Sequence, residues 1–380
     1  MRIFISAGEP SGDLHGANLA RSLRAVMPNV ELFGLGGSKM SDAGVDLFYP
    51  LADHAVMGFV RVVQVIPTMW RLLQRLLREF EKRRPDALVL IDYPGFHWHL
   101  AAKAKAMGIP VISFVPPQIW GWASHRVSRV RKNFEYVLCA LPFEPRWYHD
   151  RGVINARYIG HPYFDELPRQ KLDATFMAEQ RRAGTPIVAL MPGSRGHEVK
   201  HNLPTLLNTA HRIHAERPDV RFLFPCFKEQ HRDYVASRVL ASIPAEVLVH
   251  RTAETIELAD SCVAVSGSVG LELLYRCKPT VVIYRINRFF RFVTWLCKNV
   301  PYISLVNLLA EKELYPEFLL DHDDSPGPAA HVLRWLNDRQ QHEEVVGALA
   351  ELKGRVAAPG ACDRAAEFLV ERFGRRRAAA

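Results

Sequence analysis

Residues 187–199 read Ile-Val-Ala-Leu-Met-Pro-Gly-Ser-Arg-Gly-His-Glu-Val. An apolar run of strand length stops at Pro192, a small-residue turn carries Arg195, and an amphipathic segment follows, with a helix expected over Leu203–His214. A buried strand emptying into a Gly/Ser turn and then a helix is the unit of an open α/β sheet, whose ligands lie beyond the carboxyl ends of the strands. Helix N-termini at that edge point N–H groups outward, and an arginine adds a planar double donor suited to phosphate oxygens. Short Gly/Ser turns are common, so the stretch alone is equally compatible with an ordinary turn and a solvated arginine.

The same unit recurs from the first residue on. Residues 1–7 form a buried strand, Gly8-Glu9-Pro10-Ser11-Gly12-Asp13 a turn, and Leu14, Ala17, Leu19, Ala20, Leu23 and Val26 a helical pattern. This turn lacks a G-x-G-x-x-G fingerprint, and Glu9 would repel a pyrophosphate. A substrate hydroxyl suits Glu9 better, with a solvated loop glutamate as the plain alternative. Further strands are expected at 31–37, 87–92, 111–115, 136–140, 156–160, 220–225, 247–249, 261–265 and 280–284. Asp92 closes one of them at the edge where active sites collect. Aimed at a hydroxyl it is a general base; otherwise it is an N-cap for the helix that follows. The turn Ser266-Gly267-Ser268-Val269-Gly270-Leu271-Glu272 resembles the opening stretch: its N–H groups suit the other side of a diphosphate. Glu272 there either accepts from ribose hydroxyls or is a solvated first-turn glutamate.

A chain of 380 residues exceeds one ordinary core, so two domains are expected, joined after Gly160-His161-Pro162. The net charge of +9 calls for an anionic partner: nucleic acid, anionic lipid or a phosphorylated substrate. Two stretches mix aromatics with positive charge. In 59–84, Val62, Ile66, Met69, Leu73, Leu76 and Phe80 step along one helical face, beside Trp70, while Arg71, Arg75, Arg78 and Lys82 form another. In 287–298, Phe289, Phe290 and Trp295 lie among Arg288, Arg291 and Lys298. Together they favour contact with an anionic membrane surface. Nucleic acid ranks lower, since no basic cluster is arrayed with stacking motifs. Six scattered cysteines without C-x-x-C pairs read as reduced cytoplasmic thiols. With no signal-peptide core and no apolar run long enough to span, the chain is expected neither exported nor transmembrane. Asp321-His322-Asp323 matches a D-x-D pattern but falls in a polar run, so it reads as a solvated loop.

Taken in order, Ser6-Ala7-Gly8-Glu9-Pro10-Ser11-Gly12-Asp13, Val56-Met57-Gly58, Ile91-Asp92-Tyr93-Pro94, Leu141-Pro142-Phe143-Glu144, Pro192-Gly193-Ser194-Arg195, Leu271-Glu272 and Ser304-Leu305-Val306-Asn307-Leu308-Leu309-Ala310 closely resemble the lipid-A-disaccharide synthase family. The resemblance implies two Rossmann-like α/β domains facing a cleft, the GT-B glycosyltransferase fold: an acceptor and membrane-facing domain over 1–165, a UDP-sugar-binding domain over 166–345, and C-terminal helices over 346–380 crossing back. It implies an inverting, metal-independent and cofactor-free transfer of diacylglucosamine from UDP to the 6-hydroxyl of diacylglucosamine 1-phosphate, at the cytoplasmic face of the inner membrane. Asp92 stands at the general base and Glu9 at a second catalytic position. Substrate and UDP contacts are implied for Gly8, Ser11, Met57, Ser194, Arg195, Ser266, Gly267, Ser268, Glu272 and Asn307.

There are departures from the family's pattern. Gly95 replaces an aspartate, Ser268-Val269-Gly270 a Thr-Ala-Thr, Val306 a proline and Leu320 a glutamine. Another enzyme of the same fold, such as a UDP-GlcNAc epimerase or lipid-linked glycosyltransferase, and a non-catalytic nucleotide-sugar binder remain as alternatives. A homodimer is left open.

Overall fold

Apolar runs of three to six residues become parallel strands, because strands buried on both faces carry no polar alternation. The computed structural model describes residues 1–52, 59–181, 184–239, 243–285, 300–320 and 325–374, and of 59–65 only the helical backbone. Met1–Glu166 and the chain from Ala358 onward pack as one unit; Leu167–Ala357 packs as another.

In the first unit, β1 (Arg2–Ala7), β2 (Glu31–Leu35), β3 (Asp46–Tyr49), β4 (Ala87–Ile91), β5 (Val111–Phe114), β6 (Tyr136–Cys139) and β7 (Ala156–Tyr158) form a sheet in the order β3-β2-β1-β4-β5-β6-β7. Its pairings are parallel. The chain builds outward from β1 to β3 and then restarts with β4 on the other side of β1. That reversal is the switch point where connections leave in opposite directions and a crevice opens at the carboxyl edge. Alternation along β1 feeds two cores. Ile3, Ile5 and Ala7 pack with the helix Pro10–Val26, while Phe4 packs with Leu72, Leu73, Leu76 and Phe80 of the helix Phe59–Arg83 and with Phe96 and Leu100 of the helix Pro94–Ala106.

The second unit repeats the plan with β8 (Ile187–Met191), β9 (Arg221–Cys226), β10 (Ala245–Val249), β11 (Ser261–Val265), β12 (Thr280–Arg285) and β13 (Glu317–Leu320), ordered β10-β9-β8-β11-β12-β13. The reversal here lies between β8 and β11.

Several sequence expectations shift. The helix expected from Leu203 begins at Gly196 and runs through Pro204 to Glu216. Val199, Leu203, Leu206, Ala210 and Ile213 keep one buried face across the proline, and that packing offsets the roughly 3 kcal/mol a helical proline costs. The half-buried edge strands β3 and β13 carry too short a pattern to be seen in sequence. The return of the chain is also later than 346. The helix Arg339–Val356 packs on the helices Pro326–Asn337 and Val269–Tyr275 of the second unit, and only Ala361–Phe373 joins the first. Ala361–Phe373 buries Cys362, Ala365, Ala366, Leu369 and Phe373 against the Pro10–Val26 core. Asp165 fixes it by accepting from Gly360, Ala361 and Cys362 N–H at 2.5, 3.0 and 2.8 Å.

Candidate functional site

β1 and β4 run side by side with Ala7 opposite Ile91, so the residues after each strand emerge together. Glu9 is the N-cap of the helix Pro10–Val26, in extended backbone. Asp92 and Tyr93 both take left-handed backbone, with φ of 44° and 55°. Each such non-glycine residue costs about 1–3 kcal/mol, a strain that collects at functional sites. The helix that follows is capped at Tyr93, so the N-cap alternative for Asp92 does not hold. A Cβ on Gly8 would lie 2.2 Å from Cγ of Tyr93, so the bare glycine is what lets that ring lie across the strand end. Burial raises the Tyr93 phenol pKa first and the Glu9 charge raises it further. Gly8, Glu9 and Asp92 therefore share one edge, with the Asp92 and Ser11 side chains exposed there. Gly95 faces open space: a Cβ there meets nothing within 4 Å.

Beneath this edge lies His97, 2% exposed. Its Nδ1 is 2.5 Å from the Asp92 carbonyl oxygen and its Nε2 2.8 Å from Ser6 Oγ. A carbonyl can only accept, so Nδ1 carries the proton and the Ser6 hydroxyl donates to Nε2. Burial pushes the His97 pKa down to about 4, keeping the ring neutral.

At the second reversal, Met191 of β8 lies opposite Ala264 of β11. Gly193 has φ 111°, and a Cβ on it would stand 2.7 Å from Glu198 Cβ. Glu198 reaches back over the turn: Oε2 accepts from Ser194 and Arg195 N–H, each at 3.1 Å, and Oε1 from Arg195 Nη1 at 3.2 Å. Two N–H groups that the sequence reading assigned to phosphate thus face a carboxylate of the chain itself. The Arg195 side chain stays 44% exposed. The facing turn holds Ser266, Gly267 and Ser268, with open space around Gly267. Glu272 is not the solvated first-turn residue considered above. It is buried, 3.4 Å from Nε of Arg276, whose other nitrogens bind Glu257 and Gln170 at 2.8 Å each.

Asn307 is a correction. It is fully buried; Nδ2 donates to Tyr315 O (2.7 Å) and Glu317 Oε1 (2.9 Å), and Oδ1 accepts from Leu314 and Tyr315 N–H (2.8 Å each). An amide has two donor hydrogens and two acceptor lone pairs, so none remains for a substrate. Asn307 organises the 311–317 loop instead. Leu320, at the position where a glutamine is expected, is a core residue of the second unit.

Along Phe59–Arg83, Ile66 and Trp70 are 56% and 53% exposed and Arg71, Arg75 and Arg78 lie in water. Met69, expected at a membrane, turns partly into the core beside Leu72 and Leu73. Met57, the Val62 side chain, Phe289, Phe290, Trp295 and the D-x-D stretch lie outside the described residues. Among the described residues no helix is long and apolar enough to cross a membrane.

Sequence reasoning missed Asp13, Glu198, His97 and the role of Glu144. Asp13 caps the second βα turn through Gly37, Lys39 and Met40 N–H at 2.6, 3.1 and 3.1 Å. Glu198 had a signal, an acidic residue in the first turn after a small-residue stretch. Glu144 accepts from Trp120 Nε1 (2.9 Å) and Leu141 N–H (3.0 Å), tying the tryptophan loop to β6; burial pushes its pKa up to about 7. Trp122, in the same loop, is 60% exposed.

A family model described as lipid-A-disaccharide synthetase matches residues 3–362. Relatives named lipid-A-disaccharide synthase include one from Myxococcus xanthus, 36% identical over 377 residues and covering 97% of each chain. Another, from Pseudomonas aeruginosa, is 35% identical over 379 residues, covering 98% of this chain and 99% of that protein. Among solved structures, a UDP-GlcNAc 2-epimerase from Neisseria meningitidis bound to UDP-GlcNAc has a TM-score of 0.70 at 11% identity, covering 98% of this chain and all of that one. The kitacinnamycin glycotransferase has a TM-score of 0.67 at 18% identity and covers 98% of each chain. The structural likenesses concern the fold, two parallel-sheet α/β domains of the GT-B kind.

Proposed function

Because the chain belongs to the lipid-A-disaccharide synthetase family over nearly its whole length, we propose that it condenses UDP-2,3-diacylglucosamine with 2,3-diacylglucosamine 1-phosphate. The products are the β-1,6-linked lipid A disaccharide 1-phosphate and UDP. Of the geometry, what carries this reading is the pairing of Glu9 with the strained Asp92–Tyr93 turn at the β1/β4 reversal.

In the proposed reaction the Asp92 carboxylate takes the proton of the acceptor 6-hydroxyl as its oxygen attacks the anomeric carbon. The bond from that carbon to UDP breaks on the opposite face, its electron pair stays on the diphosphate, and the proton passes from Asp92 to solvent. One displacement inverts the anomeric centre. Glu9, at the same edge, is suited to accept from a second acceptor hydroxyl. Arg195 meets the charge on the leaving diphosphate. So do the N–H groups of Gly196 and His197, which have no preceding helical turn to pair with. This arrangement needs no metal. Exposed Ile66 and Trp70 beside Arg71, Arg75 and Arg78 support peripheral contact with an anionic membrane surface, where both acylated substrates reside.

The experiment is direct. Purified full-length chain incubated with the two acylated substrates should yield disaccharide and UDP in equal amounts by mass spectrometry. No disaccharide at any enzyme level would sink the assignment in favour of an epimerase or a non-catalytic binder.

A further inference from the structure

The peptide joining Asp92 to Tyr93 lies between two left-handed residues, and rotating it would return Tyr93 to the negative φ that L residues prefer. The same rotation would turn the Asp92 carbonyl away from His97 Nδ1, which now holds it. We propose that His97 is a positioning residue for Asp92, its Nδ1–H clamping the strained peptide while Ser6 anchors the far side of the ring. This rests on the reading of Asp92 as the base.

Three features support the clamp. The ring comes from the first turn of Pro94–Ala106, on the face of the sheet to which Ser6 also points, so its far end is tied to β1 in the core. Ser6 is fully buried and His97 2% exposed, so water cannot take over the bond between them. Both ring nitrogens are used in a single sense: the carbonyl demands a donor at Nδ1, which leaves Nε2 an acceptor for the Ser6 hydroxyl. The other tautomer would keep the Ser6 contact with its direction reversed but lose the bond to the Asp92 carbonyl, which can only accept.

Replacement chemistry separates positioning from bulk stability. The amide of Asn places its nitrogen near the position of Nδ1, whereas that of Gln reaches toward Nε2. His97→Asn keeps the donor to Asp92 and loses Ser6; His97→Gln keeps Ser6 and loses the donor to Asp92. Each gives up one buried contact, so their melting temperatures should fall by similar amounts. In steady-state assays of the full chain, His97→Gln should lose about 10²-fold in kcat, the scale of a small misplacement of a reacting group, with acceptor KM within about twofold. His97→Asn should recover to within about fivefold of wild type. Equal kcat in the two variants, or an effect confined to KM, overturns the proposal. If His97→Gln does not fold, Ser6→Ala replaces it: freeing Nε2 should lower kcat with KM unchanged, and wild-type kcat overturns the clamp. Asp92→Asn is assayed alongside. Turnover in that variant removes the base reading itself, whereas an inactive Asp92→Asn with full activity in His97→Gln overturns the positioning inference alone.

Discussion

Asp92 reaches its position through a backbone conformation that a simple extension of β4 would not give. The residue is exposed, but its peptide is gripped from below by a buried neutral histidine. That burial has a measurable consequence. His97 is held neutral down to about pH 4, whereas in an unfolded chain it takes a proton near 6.5; His15 and His161 are depressed by burial in the same direction, to about 3 and about 4. Below pH 6.5 the unfolded chain therefore binds more protons than the folded one, so stability present above 6.5 is lost as pH falls toward 4. Each unit of such a shift is worth about 1.4 kcal/mol. Thermal melts at constant ionic strength should fall across this window, and the fall should be shallower in His97→Asn; an unchanged slope would mean His97 is not held neutral. At this scale the sequence was half legible. A carboxylate at a strand end pointed to Asp92, but nothing in Phe96-His97-Trp98 distinguishes a clamp from an ordinary helical histidine, because the contact to Ser6 spans 91 positions.

The β-α units were the most legible elements, because a buried parallel strand is a continuous apolar run and each was followed by a turn rich in glycine or serine. What could not be read was how each turn satisfies its own N–H groups. Gly193-Ser194-Arg195 looked like a vacant anion cradle; in the fold, Glu198 from the first turn of the helix covers it, a contact between neighbours in sequence that only the backbone path creates. Ser304–Ala310 looked like a substrate-contacting motif, yet its asparagine spends every hydrogen bond inside the unit. Asn307→Ala should accordingly act on stability. It leaves the N–H groups of Leu314 and Tyr315 without their acceptor, and stranded buried groups cost about 1–3 kcal/mol each. We expect at least about 3 kcal/mol lost in denaturant unfolding, with UDP affinity unchanged in the protein that remains folded. A stable variant with weakened UDP binding would restore Asn307 as a ligand contact.

For the molecule as a whole, two sheets that share an order over six strands, the first with β7 added at its edge, each open a reversal at the carboxyl edge, one carrying Glu9 and Asp92, the other Arg195 and Ser266–Ser268. The net charge of +9 is a property of the same scale, and the Phe59–Arg83 helix displays part of it beside exposed Ile66 and Trp70. Vesicles rich in anionic lipid should bind the chain in flotation assays. Binding should weaken with salt and fall when Arg71, Arg75 and Arg78 become Gln together, since each basic residue near such a surface is worth about 1 kcal/mol. Unchanged flotation in the triple variant would remove this helix from the contact. The division of labour between the two reversals is tested most directly by the turnover of Asp92→Asn, measured together with its UDP affinity by calorimetry. The expected result is a kcat lowered by about 10²–10⁴-fold, as for loss of a general base, with UDP bound as in the wild type. Turnover near the wild-type rate would contradict it.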